Sequence, residues 1–214
     1  MSSERPMSID KKETNRLEAF SDGVFAVAIT LLVLDIKPPD IALDDSHLWT
    51  MLLEQWPMLL AFATSFFTVG IVWLNHHRLF THIKRTDTGL LLINLLLLFI
   101  VVFIPVPTAL LAKYITQPDQ HIAAIVYGGT FFLMACCVNA LWRYASYQNR
   151  LFDKDVDQRA VRAINRQYLF GPLLYAVAFG LAWLNSPTSI IFELLLALFF
   201  ALPGYPLRDR EQKV

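Results

Sequence analysis

Long apolar stretches alternate with short polar breaks along the whole chain. Each stretch holds roughly the 17–25 residues that a helix needs to cross the hydrocarbon core of a bilayer. The breaks contain turn-forming sequences such as Pro38-Pro39, Gln117-Pro118-Asp119 and Asn185-Ser186-Pro187. The pattern predicts an all-α integral membrane bundle of six transmembrane helices per subunit, the last two close enough to form a tight hairpin. The predicted spans lie near residues 16–36, 56–77, 89–112, 122–142, 167–185 and 189–207.

The basic residues test the orientation of these spans. If the N-terminus is cytoplasmic, all 18 Lys and Arg residues except Lys37 and Lys113 fall in cytoplasmic segments. This asymmetry is the positive-inside pattern of membrane proteins, so both termini are predicted to be cytoplasmic. The chain is then divided into a cytoplasmic tail (1–15), a single transmembrane domain (16–207) and a second cytoplasmic tail (208–214).

Composition agrees with a lipid environment and narrows the function. Hydrophobic residues make up 56% of the 214 residues, the mean hydropathy is +0.47, and the formal net charge is zero. Neutral overall charge gives no support for a nucleic-acid partner. The chain contains no phosphate-binding loop, no zinc-protease motif and no acid-base cluster, so we expect neither enzymatic activity, nor a cofactor, nor a small-molecule substrate. The adjacent His76 and His77 lack acidic neighbours, and we expect no metal site there.

The first predicted span carries charge inside the membrane. Only twelve residues separate Asp22 from Asp35, which is too few to cross a bilayer. The helix must therefore start near Arg16 and carry Ser21 and Asp22 into the inner part of the membrane. Ionisable groups at such depth usually mark a functional site, although Asp22 could also lie at the inner interface and cap a local turn.

One face of this first helix has a distinctive pattern. At about 100° per residue, Val27, Leu31 and Leu34 form a narrow apolar stripe with Thr30 on its flank. Such a stripe is usually a packing seam. If copies of the helix meet on an axis, however, stacked aliphatic rings form a constriction that gates by dewetting, and Thr30 adds a ring of hydroxyls.

Two motifs connect this helix with a known family. Arg16-x-x-x-Phe20-Ser21-Asp22-Gly23, together with the residues up to Leu34, resembles the signature of the endosomal/lysosomal potassium channel family, specifically of its bacterial homologues. A second segment, Trp73-x-x-His76-His77, is similar to a family motif at the inner end of the second helix. The resemblance extends along the chain in span number, topology and length.

The resemblance implies a homotetramer in which four first helices surround a pore. Family pore positions correspond to Val27, Leu31 and Leu34 as the hydrophobic constriction and to Thr30 as a threonine ring linked to potassium selectivity. The resemblance further suggests a structural network between helices, away from the ion. Its members would be the motif residues and their partners: Arg16, Phe20, Ser21, Asp22, Trp73 and His77.

The leading hypothesis is therefore a potassium-selective, leak-like channel in the plasma membrane or bacterial inner membrane, with K⁺ as permeant ion and the lipid bilayer and other copies of the chain as partners. Alternatives are a proton-conducting pore or a proton-coupled secondary transporter that uses Asp22 as its carrier site. A membrane-embedded enzyme and a structural subunit of a larger complex are further alternatives.

Four features outside the first helix lead to further structural predictions. Pro105 and Pro107 should kink the third span, because proline lacks the N–H that a helix needs. Asn94 and Asn139 should form hydrogen bonds between helices. Glu193 is expected near the outer interface, in contact with solvent. Residues 150–166 are expected to form a solvated cytoplasmic loop.

Overall fold

The computed structural model describes residues 9–37, 45–153 and 156–202. In these ranges the chain is helical and, apart from an isolated bridge between Ile83 and Phe152, contains no β-structure, which confirms the predicted all-α class. The helices are α1 (Ile9–Leu31), α2 (Asp45–Glu54), α3 (Trp56–His82), α4 (Thr88–Phe103), α5 (Pro105–Tyr114), α6 (Gln120–Ser146), α7 (Gln158–Leu169), α8 (Gly171–Leu181) and α9 (Ser186–Ala201).

Four segments are long and apolar enough to cross a membrane. They are Lys12–Asp35, Trp56–His82, Thr88–Tyr114 and Gln120–Asn149. The first contains α1 from Lys12 onward and a 3₁₀ turn, Leu32–Asp35. Helix α1 itself begins at Ile9, inside the predicted N-terminal tail. Helix α9 has 16 residues, about 24 Å, and is shorter than the roughly 30 Å hydrocarbon core. The count of six spans and the cytoplasmic termini therefore stay predictions, and residues 203–207 of the last predicted span lie outside the described residues.

The third span is broken where the prolines predict it. Helix α4 ends at Phe103 and α5 begins at Pro105, which has no N–H to donate to the preceding turn. The Ile104 N–H reaches only the Val101 carbonyl, 3.2 Å away. The predicted effect of the prolines is seen as a break between α4 and α5 at Ile104, and the two helices pack as separate units.

The segment after α6 differs from the predicted loop. Residues 158–169 form the helix α7, whose start is capped by the Asp157 carboxylate accepting from the Arg159 N–H at 2.8 Å. Ala160 and Val161 are buried on one side of α7, while Arg162 and Arg166 are exposed on the other. The expectation of a loop throughout 150–166 was wrong, because the basic residues occupy one face of an amphipathic helix.

Helix α6 lies at the centre of the subunit. It packs against α4, α5, α8 and α9, and its side chains Tyr127, Phe131 and Trp142 are each 1% exposed. Helix α1 packs instead against α3 and α4 at the side of this core. The outward faces are apolar as well, with Leu92, for example, 61% exposed on α4. A surface of large exposed hydrophobic side chains fits a lipid-embedded protein.

Glu193 contradicts its expectation of contact with solvent. Its side chain is 3% exposed and lies in the interior of the bundle, on the buried face of α9. Its position in the sequence predicted a place about one helical turn from the outer interface. The helices that bury it could not be predicted from that position.

Asp87 connects three segments at the predicted cytoplasmic end of the bundle. Its carboxylate caps α4 by accepting from the Leu90 N–H at 2.9 Å, and it also accepts from the Tyr144 hydroxyl at 3.1 Å and from the Arg150 guanidinium at 2.9 Å. Partial burial acts to raise the pKa of Asp87, but the three donors outweigh it and hold that pKa below its ordinary value.

This depressed pKa makes stability depend on acid. Because unfolded Asp87 binds a proton more readily than folded Asp87, the stabilisation is complete above the unfolded pKa of about 4 and is lost as the pH falls through the lower folded pKa. We expect thermal unfolding of the detergent-solubilised protein to show this loss below about pH 4. Asp87→Ala should lower stability by about 1–2 kcal/mol at neutral pH and weaken the acid dependence. An unchanged acid profile in Asp87→Ala would assign that dependence to other carboxylates.

Candidate pore helix and its anchor

Helix α1 and the following 3₁₀ turn present two distinct faces. Ser21, Phe25, Ala28 and Leu32 recur at helical spacing and are each at most 1% exposed, so they form the face packed against α3 and α4. The predicted stripe lies on the opposite side and is exposed in the single subunit. Its fractional exposures are 55% for Val27, 36% for Leu31 and 68% for Leu34.

Thr30 lies beside the stripe and is also exposed. Its hydroxyl donates to the Val27 carbonyl at 2.8 Å, a bond within the helix that fixes the side-chain rotamer. Since its one hydrogen is used in this bond, the outward part of the hydroxyl presents only oxygen lone pairs. Such an oxygen is suited to replace water in the hydration shell of a cation.

A buried chain of hydrogen bonds holds the opposite face of α1 against α3 and α4. These bonds, and the neighbouring contacts between α1 and α3 described below, are called the anchor. The Asn94 Nδ2 of α4 donates to Ser21 Oγ at 2.9 Å, and Asn94 Oδ1 lies 2.9 Å from His76 Nε2 of α3. Ser21 Oγ donates its own hydrogen to the Leu17 carbonyl at 2.9 Å. Ser21 therefore has only lone pairs left for Asn94, which requires the amide NH₂ to face Ser21 and its oxygen to face His76. The His76 ring must then carry a proton on Nε2.

A second connection joins α1 to α3 next to the first. The Trp73 indole N–H donates to Asp22 Oδ1 at 2.8 Å. At about 100° per residue, Asp22 lies about 140° around the helix from Val27, so its carboxylate points away from the stripe. The structure thus joins the predicted network residues Trp73 and Asp22 directly, and like Ser21 they make their contacts on the side of α1 that faces the bundle.

Of the remaining predicted network residues, His77 also connects α3 to α1, whereas Phe20 and Arg16 do not join these contacts. His77 Nδ1 is 2.8 Å from the Glu18 carboxylate and its ring stacks with Trp73. Phe20 is 58% exposed, on the side of the stripe. Arg16 is exposed, and none of the hydrogen bonds described above reaches it.

The prediction that Asn94 bonds between helices is confirmed. Its partner His76, and Glu18 as the partner of His77, were not predicted. The available signal was a polar amide inside the apolar run of α4, which must find a partner in hydrocarbon. Among the described residues no group of three His, Cys, Asp or Glu side chains could hold a metal ion.

Known proteins provide a comparison for this arrangement. A sequence model of the family described as "Endosomal/lysosomal potassium channel TMEM175" matches residues 16–105, which include the stripe and the anchor. A potassium channel of Chamaesiphon minutus is 47% identical over 194 residues, covering 90% of this chain and 96% of that protein. A potassium channel of Streptomyces collinus is 42% identical over 200 residues, covering 93% and 97%.

A solved structure supports the same family assignment as these sequence comparisons. The crystal structure of a lysosomal potassium-selective channel TMEM175 homolog from Chamaesiphon minutus superposes with a TM-score of 0.81 at 45% identity, covering 90% of this chain and 98% of that chain. Sequence and fold therefore agree over nearly the full length of these relatives. The chain belongs to the TMEM175 family of membrane channels.

Proposed function

We propose that this chain forms a potassium-selective, leak-like cation channel in the plasma membrane or bacterial inner membrane, in which the α1 helices of four copies line the pore. The observation that carries the proposal is the outward stripe of Val27, Leu31 and Leu34 on a helix whose opposite face is fixed by buried hydrogen bonds. The relatives reported above are named potassium channels, which supports K⁺ as the permeant ion.

The stripe supports an arrangement around an axis. A lipid-facing helix needs only apolar side chains, as on α4, whereas this stripe combines aliphatic residues with the exposed hydroxyl of Thr30. Four copies of Val27, Leu31 and Leu34 would form three stacked apolar rings, narrow enough to repel water when closed. Thr30 would place four hydroxyl oxygens between the first and the last of these rings.

The anchor supports the same role by fixing the rotation of α1. Asn94 and Trp73 hold Ser21 and Asp22 from two different helices. A rotation of α1 would break both hydrogen bonds inside the membrane, where polar groups have few other partners. The helix is thereby held with Val27 and Leu31 toward the proposed axis, while no anchor residue contacts the ion.

The low charge of the membrane-length segments supports leak-like conduction, that is, conduction without a voltage sensor. Each of the four membrane-length segments contains an 18-residue window with at most two charged residues. A voltage sensor needs several charges that move through the field of the membrane. We therefore propose conduction that depends on the potassium gradient and only weakly on voltage.

Flux into proteoliposomes tests both the channel and its selectivity. We expect potassium flux far above that of empty liposomes, with valinomycin as the control for a fully permeable vesicle, and a smaller sodium flux. Thr30→Ala should reduce the ratio of potassium to sodium flux more than it reduces total flux, because it removes the hydroxyl ring and leaves the apolar rings. Mass measurement in detergent should give four copies.

The outcomes separate the parts of this proposal. Flux no higher than in empty liposomes would exclude a channel, and equal sodium and potassium flux would exclude selectivity. If Thr30→Ala lowered total flux but left the ratio unchanged, Thr30 would not contribute to ion selection.

A further inference from the structure

A carboxyl group without a partner is buried in the core of the subunit, remote from the stripe. Both oxygens of Glu193 on α9 are inaccessible to solvent and have no hydrogen-bond partner among the described residues. The side chain packs tightly, since a methyl group built on Gly128 of α6 would approach Glu193 Oε1 to 2.5 Å. Buried polar groups are normally hydrogen-bonded, so this exception requires an explanation.

The hydroxyl groups in this region have already used their hydrogens. Thr108 Oγ1 donates to the Ile104 carbonyl at 2.8 Å, so Ser65 must be the donor in its 2.8 Å bond to Thr108. Ser65 then has no hydrogen left for Tyr127, and the Tyr127 hydroxyl must donate in the 3.0 Å bond between them. The hydrogen of Tyr127 therefore points to Ser65 rather than to Glu193.

The hydroxyl of Ser189 likewise has no hydrogen left for Glu193. Ser189 lies one helical turn before Glu193 on α9, and its hydroxyl donates to the Ala178 carbonyl of α8 at 2.8 Å. Ser189 and Tyr127 thus offer lone pairs and no free hydrogen. An ionised carboxylate can only accept hydrogen bonds, so a bond from the nearby Ser189 hydroxyl would cost the Ser189–Ala178 bond. A carboxylic acid brings a hydrogen of its own and requires no such exchange.

The charged and titratable surroundings provide no cation for a carboxylate. The helices packed against α9 are α3, α6 and α8. The titratable groups that interact with Glu193 are Tyr127 of α6 and Tyr175 of α8, both neutral at physiological pH. The α3 residues from 56 to 72 include no ionisable side chain. Arg78 of α3 bonds the Ala201 carbonyl, two turns further along α9.

We propose that Glu193 is a proton-binding site that carries its proton at neutral pH and holds it within the packing of α6, α8 and α9. A lone carboxylate in this setting would carry the full desolvation cost of a charge, and binding one proton removes that cost. The close contact with Gly128 leaves little room for the several oxygen ligands of an alkali cation. The site is separate from the pore stripe, because α1 packs on α3 and α4.

Infrared spectroscopy of the full chain in lipid nanodiscs detects the proton directly. At pH 7 the wild-type protein should show the C=O stretch of a protonated carboxylic acid, which absorbs apart from carboxylates and shifts in deuterated buffer. Glu193→Gln should remove this band, and Glu54→Gln, on exposed α2, should leave it unchanged. Absence of the band in wild type at pH 7, or its persistence in Glu193→Gln, would overturn the proposal.

Thermal unfolding gives an independent readout. The folded protein would hold a proton that the unfolded chain releases above its ordinary carboxyl pKa of about 4. Wild-type stability should therefore fall as the pH rises from about 4 through neutral pH, until the folded protein also loses the proton. Glu193→Gln keeps the size and a hydrogen donor. It should unfold within a few degrees of wild type at pH 7 and lose this part of the pH dependence. A large loss of stability in Glu193→Gln at pH 7, or the same pH dependence in both proteins, would contradict a protonated Glu193.

Discussion

Leu31→Asn is expected to increase potassium flux into proteoliposomes about tenfold. Leu31 is in the middle of the outward stripe, one helical turn from Val27, and 36% of it is exposed in the single subunit. In the proposed tetramer it forms an apolar ring that ions pass only when water fills it. Four asparagine amides of similar size would keep that ring hydrated, and a tenfold change corresponds to about 1.4 kcal/mol of the barrier.

A matched substitution at an exposed leucine of α4 provides the control. Leu92 of α4 is 61% exposed and lies outside the stripe, so Leu92→Asn should leave the flux near that of wild type. The ratio of potassium to sodium flux in Leu31→Asn should fall less than the total flux rises, because Thr30 is unchanged. A flux that is unchanged or reduced in Leu31→Asn, with the protein still assembled, would remove Leu31 from the conduction path.

The periodicity of α1 explains why its faces could be predicted from the sequence. Rotation by 100° per residue determines which side chains share a side, whatever the helix packs against. Val27, Leu31 and Leu34 were therefore assigned to one face, and they are exposed together while Phe25 and Leu32 are buried. The assignment of that face to a pore needed the family resemblance, because periodicity does not distinguish an axis of symmetry from lipid.

Contacts between helices were less predictable for a physical reason. His76 and His77 are adjacent, so the sequence shows that they point in different directions but not which helix each direction meets. His76 faces Asn94, whereas His77 faces Glu18. Glu193 is a similar case, since its carboxyl group packs against a glycine in α6 that is 65 positions earlier in the chain. Contacts of this kind are determined by how the helices pack, which the local sequence pattern does not specify.

Asn94→Leu is expected to cause the largest loss of stability, about 2–4 kcal/mol. Asn94 is 1% exposed and connects three helices, so its replacement removes two hydrogen bonds at once. It also leaves the His76 Nε2–H without an acceptor in a ring that is fully buried. For a chain of this length, the unfolding midpoint should fall by roughly 5–15 °C. Thr81→Ala, which removes an exposed hydroxyl bonded within its own helix, should leave the midpoint nearly unchanged.

A double variant separates the hydrogen bonds from the packing at this site. If the orphaned imidazole causes most of the loss, then Asn94→Leu combined with His76→Phe should be more stable than Asn94→Leu alone, because no buried donor is left unpaired. His76 already stacks on Phe80 with ring centroids 4.4 Å apart, so a phenyl ring fits this environment. If the two losses add instead, the shape of Asn94 rather than its hydrogen bonds holds α1 against α3 and α4. Selectivity tests the anchor separately, because both variants lack the hydrogen bond from Asn94 to Ser21. If that bond fixes the rotation of α1, the ratio of potassium to sodium flux should be reduced in Asn94→Leu and equally reduced in the double variant, even where stability has recovered.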